Sequence, residues 1–97
     1  MGDKELYQQK MKAQLDQWKA QIDLLKAKAS GASADAQLEM NKQIKSLENK
    51  VDDGKAKLSA LAEASEEAWQ SMKEGVESAW SSLKYAFSEA ADKFKDR

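Results

Sequence analysis

EEAWQSMKEGV, ESAWSSLKYAF and SEAADKFKDR fill residues 66–97 and are one eleven-residue phrase said three times. Stacked, they put Ala68, Ala79 and Ala90 in register, then Trp69, Trp80 and Ala91, then Met72, Leu83 and Phe94, then Lys73, Lys84 and Lys95, with Val76 over Phe87. Eleven residues make three turns of about 3.67 residues, so the apolar set barely drifts around the axis and forms a straight stripe. The segment reads as a helix built to lie along something, with Trp69, Met72, Val76, Trp80, Leu83, Phe87 and Phe94 as its face. Lys73, Lys84 and Lys95 flank that face, while Glu67, Glu74, Glu89 and Asp96 fall nearer the opposite side. Two kinds of surface suit this layout. Border lysines can run their stems over lipid and lift the ammonium to phosphate level, where Trp also settles, making the three lysines headgroup candidates. The same stripe is also what a helix buries against another helix.

Working outward to the start of the chain, the apolar step changes from eleven to seven. Met11, Leu15, Trp18, Ile22, Leu25 and Ala29 alternate steps of four and three, the spacing of a left-handed coiled-coil seam. Tyr7 and Leu6 are expected to cover its open end. Trp18 is bulky for a two-stranded interior, so it should meet a small residue opposite or sit at a partly exposed edge. The pattern weakens at Ser30-Gly31-Ala32-Ser33-Ala34-Asp35, where Gly31 disfavours helix and Ser33 or Asp35 can cap a new one. Against a break there, Ala29, Ala32 and Ala36 keep the step going. After a four-four stutter at Ala36, Met40 and Ile44, the heptads resume with Leu47, Val51, Gly54, Leu58 and Leu61. Gly54 on the seam is best read as room for a large neighbouring side chain. Ser65-Glu66-Glu67 has the capping hydroxyl and early acids of a helix start, though a continuous helix with an acidic surface fits equally.

Composition narrows the chemistry. The chain has 97 residues, 34% of them charged, with no Pro, Cys or His and a formal net charge of −1. Helix formers dominate, and a compact core is marginal at this size. Without His or Cys, the usual ligands of zinc, haem and iron-sulfur centres are missing, so no metal or cofactor is expected. Catalysis needs a positioned nucleophile or base, and neighbouring acids such as Asp52 and Asp53 point about 100° apart on a helix, so no enzyme is expected. The near-neutral charge argues against a nucleic-acid partner. No segment resembles a secretory signal or a membrane span, which makes the cytoplasm the expected address and the inner face of the membrane its alternative.

KMKAQLDQWKAQIDLLKAKA, then ADAQLEMNKQIKSLENK, then ASEEAWQSMKEGVESAWSSLKYAFSEAADKFK run in an order that resembles a family of small bacterial coiled-coil stress-response proteins. The most specific block is AWQSMKEGVESAW, where Trp69 and Trp80 bracket Gly75 and Val76. The resemblance implies a cytoplasmic, non-enzymatic helical protein. SGAS and Gly54 depart from it, since better helix formers belong there. In pattern alone, the eleven-residue phrase is similar to exchangeable apolipoproteins and synucleins.

These readings combine into one expectation: an all-α chain, a long amphipathic helix or helical hairpin forming a coiled-coil homo-oligomer. Residues 1–65 supply the heptad region, with a break possible at 30–35, and residues 66–97 the eleven-residue helix. The coiled-coil interface is Met11, Leu15, Trp18, Ile22, Leu25, Ile44, Leu47, Val51, Leu58 and Leu61. One straight helix of this length would span roughly 140 Å and leave both stripes wet, so copies are expected to pair. The expected function is a self-assembling structural or scaffolding protein, with filament formation within its reach. The alternative is a stress-related peripheral membrane protein binding an anionic lipid surface through the C-terminal stripe.

Overall fold

Serine at positions 33 and 65 sets the architecture, because each starts a helix. The computed structural model describes residues 2–95, the Lys95 side chain excepted, and contains α1 (Asp3–Ser30), α2 (Ala34–Glu63) and α3 (Glu66–Lys95). Ser33 Oγ accepts from the Ala36 N–H at 3.4 Å, and Ser65 Oγ accepts from the Ala68 N–H at 3.2 Å. Both satisfy a first-turn donor that the helix itself leaves free. The Gly31 and Ala32 N–H groups donate to the Lys28 and Ala29 carbonyls, closing α1 in a tight turn. Gly31 does this at φ −92°, so it ends the helix through weak propensity and not through a left-handed conformation.

The break left open at 30–35 is present, at residues 31–33, and Ser65 starts a third helix. The chain is neither one long helix nor a two-helix hairpin. It turns back twice, at 31–33 and at 64–65, and its longest dimension is 51 Å instead of the length of a straight helix. α1 and α3 run parallel, with Tyr7 beside Trp69 and Trp18 beside Trp80, and α2 runs opposite to both. Among the described residues there is no strand.

Folding back changes what the two stripes face. Every residue of the expected coiled-coil interface is buried in one core with Met40, Trp69, Val76, Trp80, Leu83, Phe87, Ala90 and Phe94 of the same chain, and Met72 packs against that core half-buried. The premise that the stripes stay wet without a second copy does not hold, because the heptad face and the eleven-residue face cover each other. The core is closed by modest polar ties. Lys26 pairs with Glu48 at 3.1 Å across α1 and α2, an exposed bridge worth about 0–1 kcal/mol. At the other end the Lys4 ammonium donates to the Ala64 carbonyl, satisfying an acceptor that the end of α2 leaves free.

Gly54 is the position where sequence and packing meet most directly. A Cβ built there would lie 3.0 Å from Leu83 Cδ1 and 3.3 Å from Trp80 Cζ3. The bare backbone of α2 thus receives the Trp80 indole of α3, as its place on the seam suggested. Gly75 has open space around it and sits exposed within α3.

The two glycines should consequently respond in opposite ways. Gly75→Ala is expected to raise the unfolding free energy by about 0.5–1 kcal/mol, the ordinary helix gain. Gly54→Leu should lower it by about 1–3 kcal/mol or more through overpacking against Trp80 and Leu83. Urea denaturation followed by circular dichroism measures both.

Candidate functional site

The C-terminal stripe is the surface on which any function of this chain turns; it packs along α2 and meets α1 mainly through aromatic rings. Three large aromatics meet in the middle of the bundle. Trp18 stacks on Phe87 with centroids 5.6 Å apart and an interplanar angle of 12°, and meets Trp80 tilted at 6.0 Å. Such ring pairs add about 0.5–1.5 kcal/mol each beyond the area they bury. Trp18 is thus neither at an exposed edge nor opposite a small residue. The rings it meets belong to α3, while α1 also packs along α2, the second heptad segment. The room for this aromatic layer comes from Gly54 on the third side.

Nearer the N-terminal end, Tyr7 and Trp69 form a second pair, tilted with centroids 5.9 Å apart. The Lys73 ammonium lies 5.3 Å from the Tyr7 ring centroid and 5.5 Å from that of Trp69, a cation-π arrangement on both. Lys73, named as a headgroup contact, is therefore occupied by the aromatics in the closed bundle. Lys84 stays exposed on the rim of a groove between α1 and α3. The Lys95 side chain lies outside the described residues. Tyr7 covers the open end as expected, whereas Leu6 beside it is 52% exposed.

Two polar atoms in this seam lack a protein partner, the Tyr7 hydroxyl and Trp80 Nε1. Both residues line the α1–α3 groove, with Gln14, Gln17 and Glu77 near them. Burial first, and then the Glu77 carboxylate nearby, push the Tyr7 phenol above its ordinary pKa. Trp69 differs, since its Nε1 donates to the Glu66 carboxylate at 3.4 Å.

The outer surface carries apolar groups that the periodicity left unassigned. Leu24 and Leu38 are each 66% exposed and lie toward the end of the bundle that carries the α1–α2 turn. Leu24 borders an open groove of about 480 Å³ between α1 and α3, floored by Leu25, Phe87, Ala91 and Phe94. The available signal was that Leu24 and Leu38 fall off the heptad steps that carry Leu25 and Met40, so neither had a place in the core. Tyr85 is also exposed and donates to Glu89 at 2.8 Å, which raises its pKa. Among the described residues no helix is long and apolar enough to cross a membrane, and no three His, Cys, Asp or Glu side chains gather as a metal site.

Tyr7 gives the seam a pH dependence of known sign. Its pKa is raised by folding, so its neutral form contributes stability that is intact below pH 10 and is lost as pH rises through the folded value. Tyr7→Phe should leave stability at pH 7 unchanged or raise it by up to about 1 kcal/mol, since an unpartnered hydroxyl is removed. It should also make the decline above pH 10 shallower than in the wild type, as measured by thermal melts from pH 7 to 11. Comparison of the chain with protein-family models, with curated proteins and with solved structures finds no match, so its function has to be argued from this geometry alone.

Proposed function

We propose that the chain is a non-enzymatic structural protein that acts by assembling with copies of itself. The observation that carries this reading is the uncovered apolar surface toward one end of the bundle, where Leu24 borders the Leu25, Phe87, Ala91 and Phe94 groove and Leu38 stands exposed on α2. Burying one leucine side chain contributes about 1.5–3 kcal/mol, so a contact that covers several of these groups holds two bundles together. Isolated exposed leucines are ordinary on protein surfaces; a leucine continuous with an open apolar groove, as Leu24 is, is the less usual case. Repeated contacts of this kind build scaffolds or filaments, and a bacterial cytoplasmic setting is part of the same proposal, supported by the resemblance to coiled-coil stress-response proteins. Sedimentation velocity from 1 to 500 µM tests the reading, on the order of the range in which contacts of this strength appear. Wild type should grow in size with concentration. Leu24→Gln with Leu38→Gln should abolish growth beyond a dimer at unchanged helicity, and larger assemblies that survive the double substitution rule this interface out.

A second reading is favoured by the unbroken stripe of α3. If α3 parts from both α1 and α2, Trp69, Trp80 and Phe87 become available to a lipid surface, with Lys84 at their border. Its charge limits the choice of lipid. Between residues 66 and 95, Glu66, Glu67, Glu74, Glu77, Glu89 and Asp92 outnumber Lys73, Lys84, Lys93 and Lys95, six to four. Strong attraction to an anionic membrane therefore does not come from α3 alone. Trp emission should shift to the blue on adding vesicles if lipid is the partner, and remain unchanged if it is not.

A further inference from the structure

The two breaks in the chain differ in kind. Residues 31–33 include a glycine, whereas residues 64–65 are Ala and Ser, both acceptable inside a helix. Between Glu63 and Glu66 the turn depends on Ala64, extended at φ −75° and ψ 151°. What holds it is slight: the Ala64 N–H to the Leu61 carbonyl at 3.1 Å, the Ala68 N–H to Ser65 Oγ at 3.2 Å, and Lys4 on the Ala64 carbonyl. If Ala64 and Ser65 turned helical, ordinary helix bonds would replace the first two, and the Ala64 carbonyl would accept from Ala68 in place of Lys4.

The buried faces on either side of this break are also in phase. Moved on by 36 residues, Ile44 lands on Trp80, Leu47 on Leu83 and Val51 on Phe87, all buried. Thirty-six residues are about ten full turns, so on one continuous helix the two faces are a single face. A hairpin asks only that each face turn inward on its own. A continuous helix needs the common phase that the sequence has.

From these observations we propose that the chain has a second conformer, in which α2 and α3 run as one helix and α3 is exchanged with a second copy of the chain. α2 and α3 are antiparallel in the hairpin. Two fused helices laid antiparallel therefore place each α3 on the other chain's α2, with Trp80 again over Gly54. The exchange recreates the core contacts across a two-fold axis near residue 67, midway between Gly54 and Trp80, which is domain swapping at the short hinge of residues 64–65. The fused helix of residues 34–95 is about 93 Å long at 1.5 Å per residue. The inference rests on the self-assembly reading, but it uses the core stripe and not Leu24 or Leu38.

Substitutions at Ser65 separate the conformers. Ser65→Ala removes the cap and favours continuous helix, so the dimer should bind about threefold tighter or more. Ser65→Pro follows a residue already in the extended conformation that proline requires before it, so the hairpin accepts it and the fused helix does not; dimerisation should weaken by about tenfold or more. The chain has no cysteine, so Lys42→Cys with Lys93→Cys takes two spin labels cleanly. Diluted into unlabelled protein, a labelled chain in the dimer should show its two labels about 76 Å apart, against a short distance in the hairpin. Absence of a dimer from both wild type and Ser65→Ala at 500 µM, or a dimer whose intrachain label distance stays short, overturns the proposal. If Ser65→Pro does not fold, Ser65→Ala and the label distance decide. A swapped dimer persists in the Leu24→Gln, Leu38→Gln variant, whereas a surface dimer is lost, so the two failures are distinguishable.

Discussion

The width of three aromatic side chains is the constraint around which this bundle is arranged. Trp18, Trp80 and Phe87 meet in one cross-section, and a third helix carrying an ordinary side chain there would be pushed outward. Gly54 removes that side chain at the point where Leu83 Cδ1 and the Trp80 indole press against α2. The helix loses a little intrinsic stability there and gains close packing of the largest residue in the core. α2 can then lie against both neighbours, while α1 and α3 are held apart by rings and leave an open groove between them.

Much of this fold was legible in the sequence because burial in a helix leaves a periodic mark. The heptad residues from Met11 to Leu61 and the stripe from Trp69 to Phe94 are the core, and the turn at residues 31–33 falls within the weak stretch at Ser30–Asp35, where the sequence left a break open. Ser65 was open to two readings, since a capping serine and a surface serine look alike until the chain is seen to reverse. Periodicity says which face is covered and not by what. The heptad seam implied an identical strand, yet its partners are α2 and, at Trp18, the rings of α3, both of its own chain. That is why the argument for pairing from wet stripes failed while the residues it named are the buried ones.

The candidate surfaces were less legible. Leu24 and Leu38 carry no motif, and their exposure follows only from where the neighbouring Leu25 and Met40 point once three helices are assembled. Lys73 looked like a headgroup contact from its place beside the stripe. In the bundle the same flanking position sets it over Tyr7 and Trp69, because a parallel α1 supplies a ring that a lone helix does not have. Tyr7 was assigned to covering an open end, and its unpartnered hydroxyl beside Glu77 follows from the α1–α3 groove.

The parallel relation of α1 and α3 has a consequence for the order in which the bundle forms. Tyr7 and Trp69 stand 62 positions apart, as do Trp18 and Trp80 (69 − 7 and 80 − 18). The α1–α2 and α2–α3 hairpins close over short turns, but the aromatic seam requires both ends of the chain to arrive together, with the larger loss of loop entropy. Local hairpins therefore come first and the seam last. Read in reverse, the seam is the first part of the core to open, and the indoles that signal completed folding are also the first to meet water when the structure loosens.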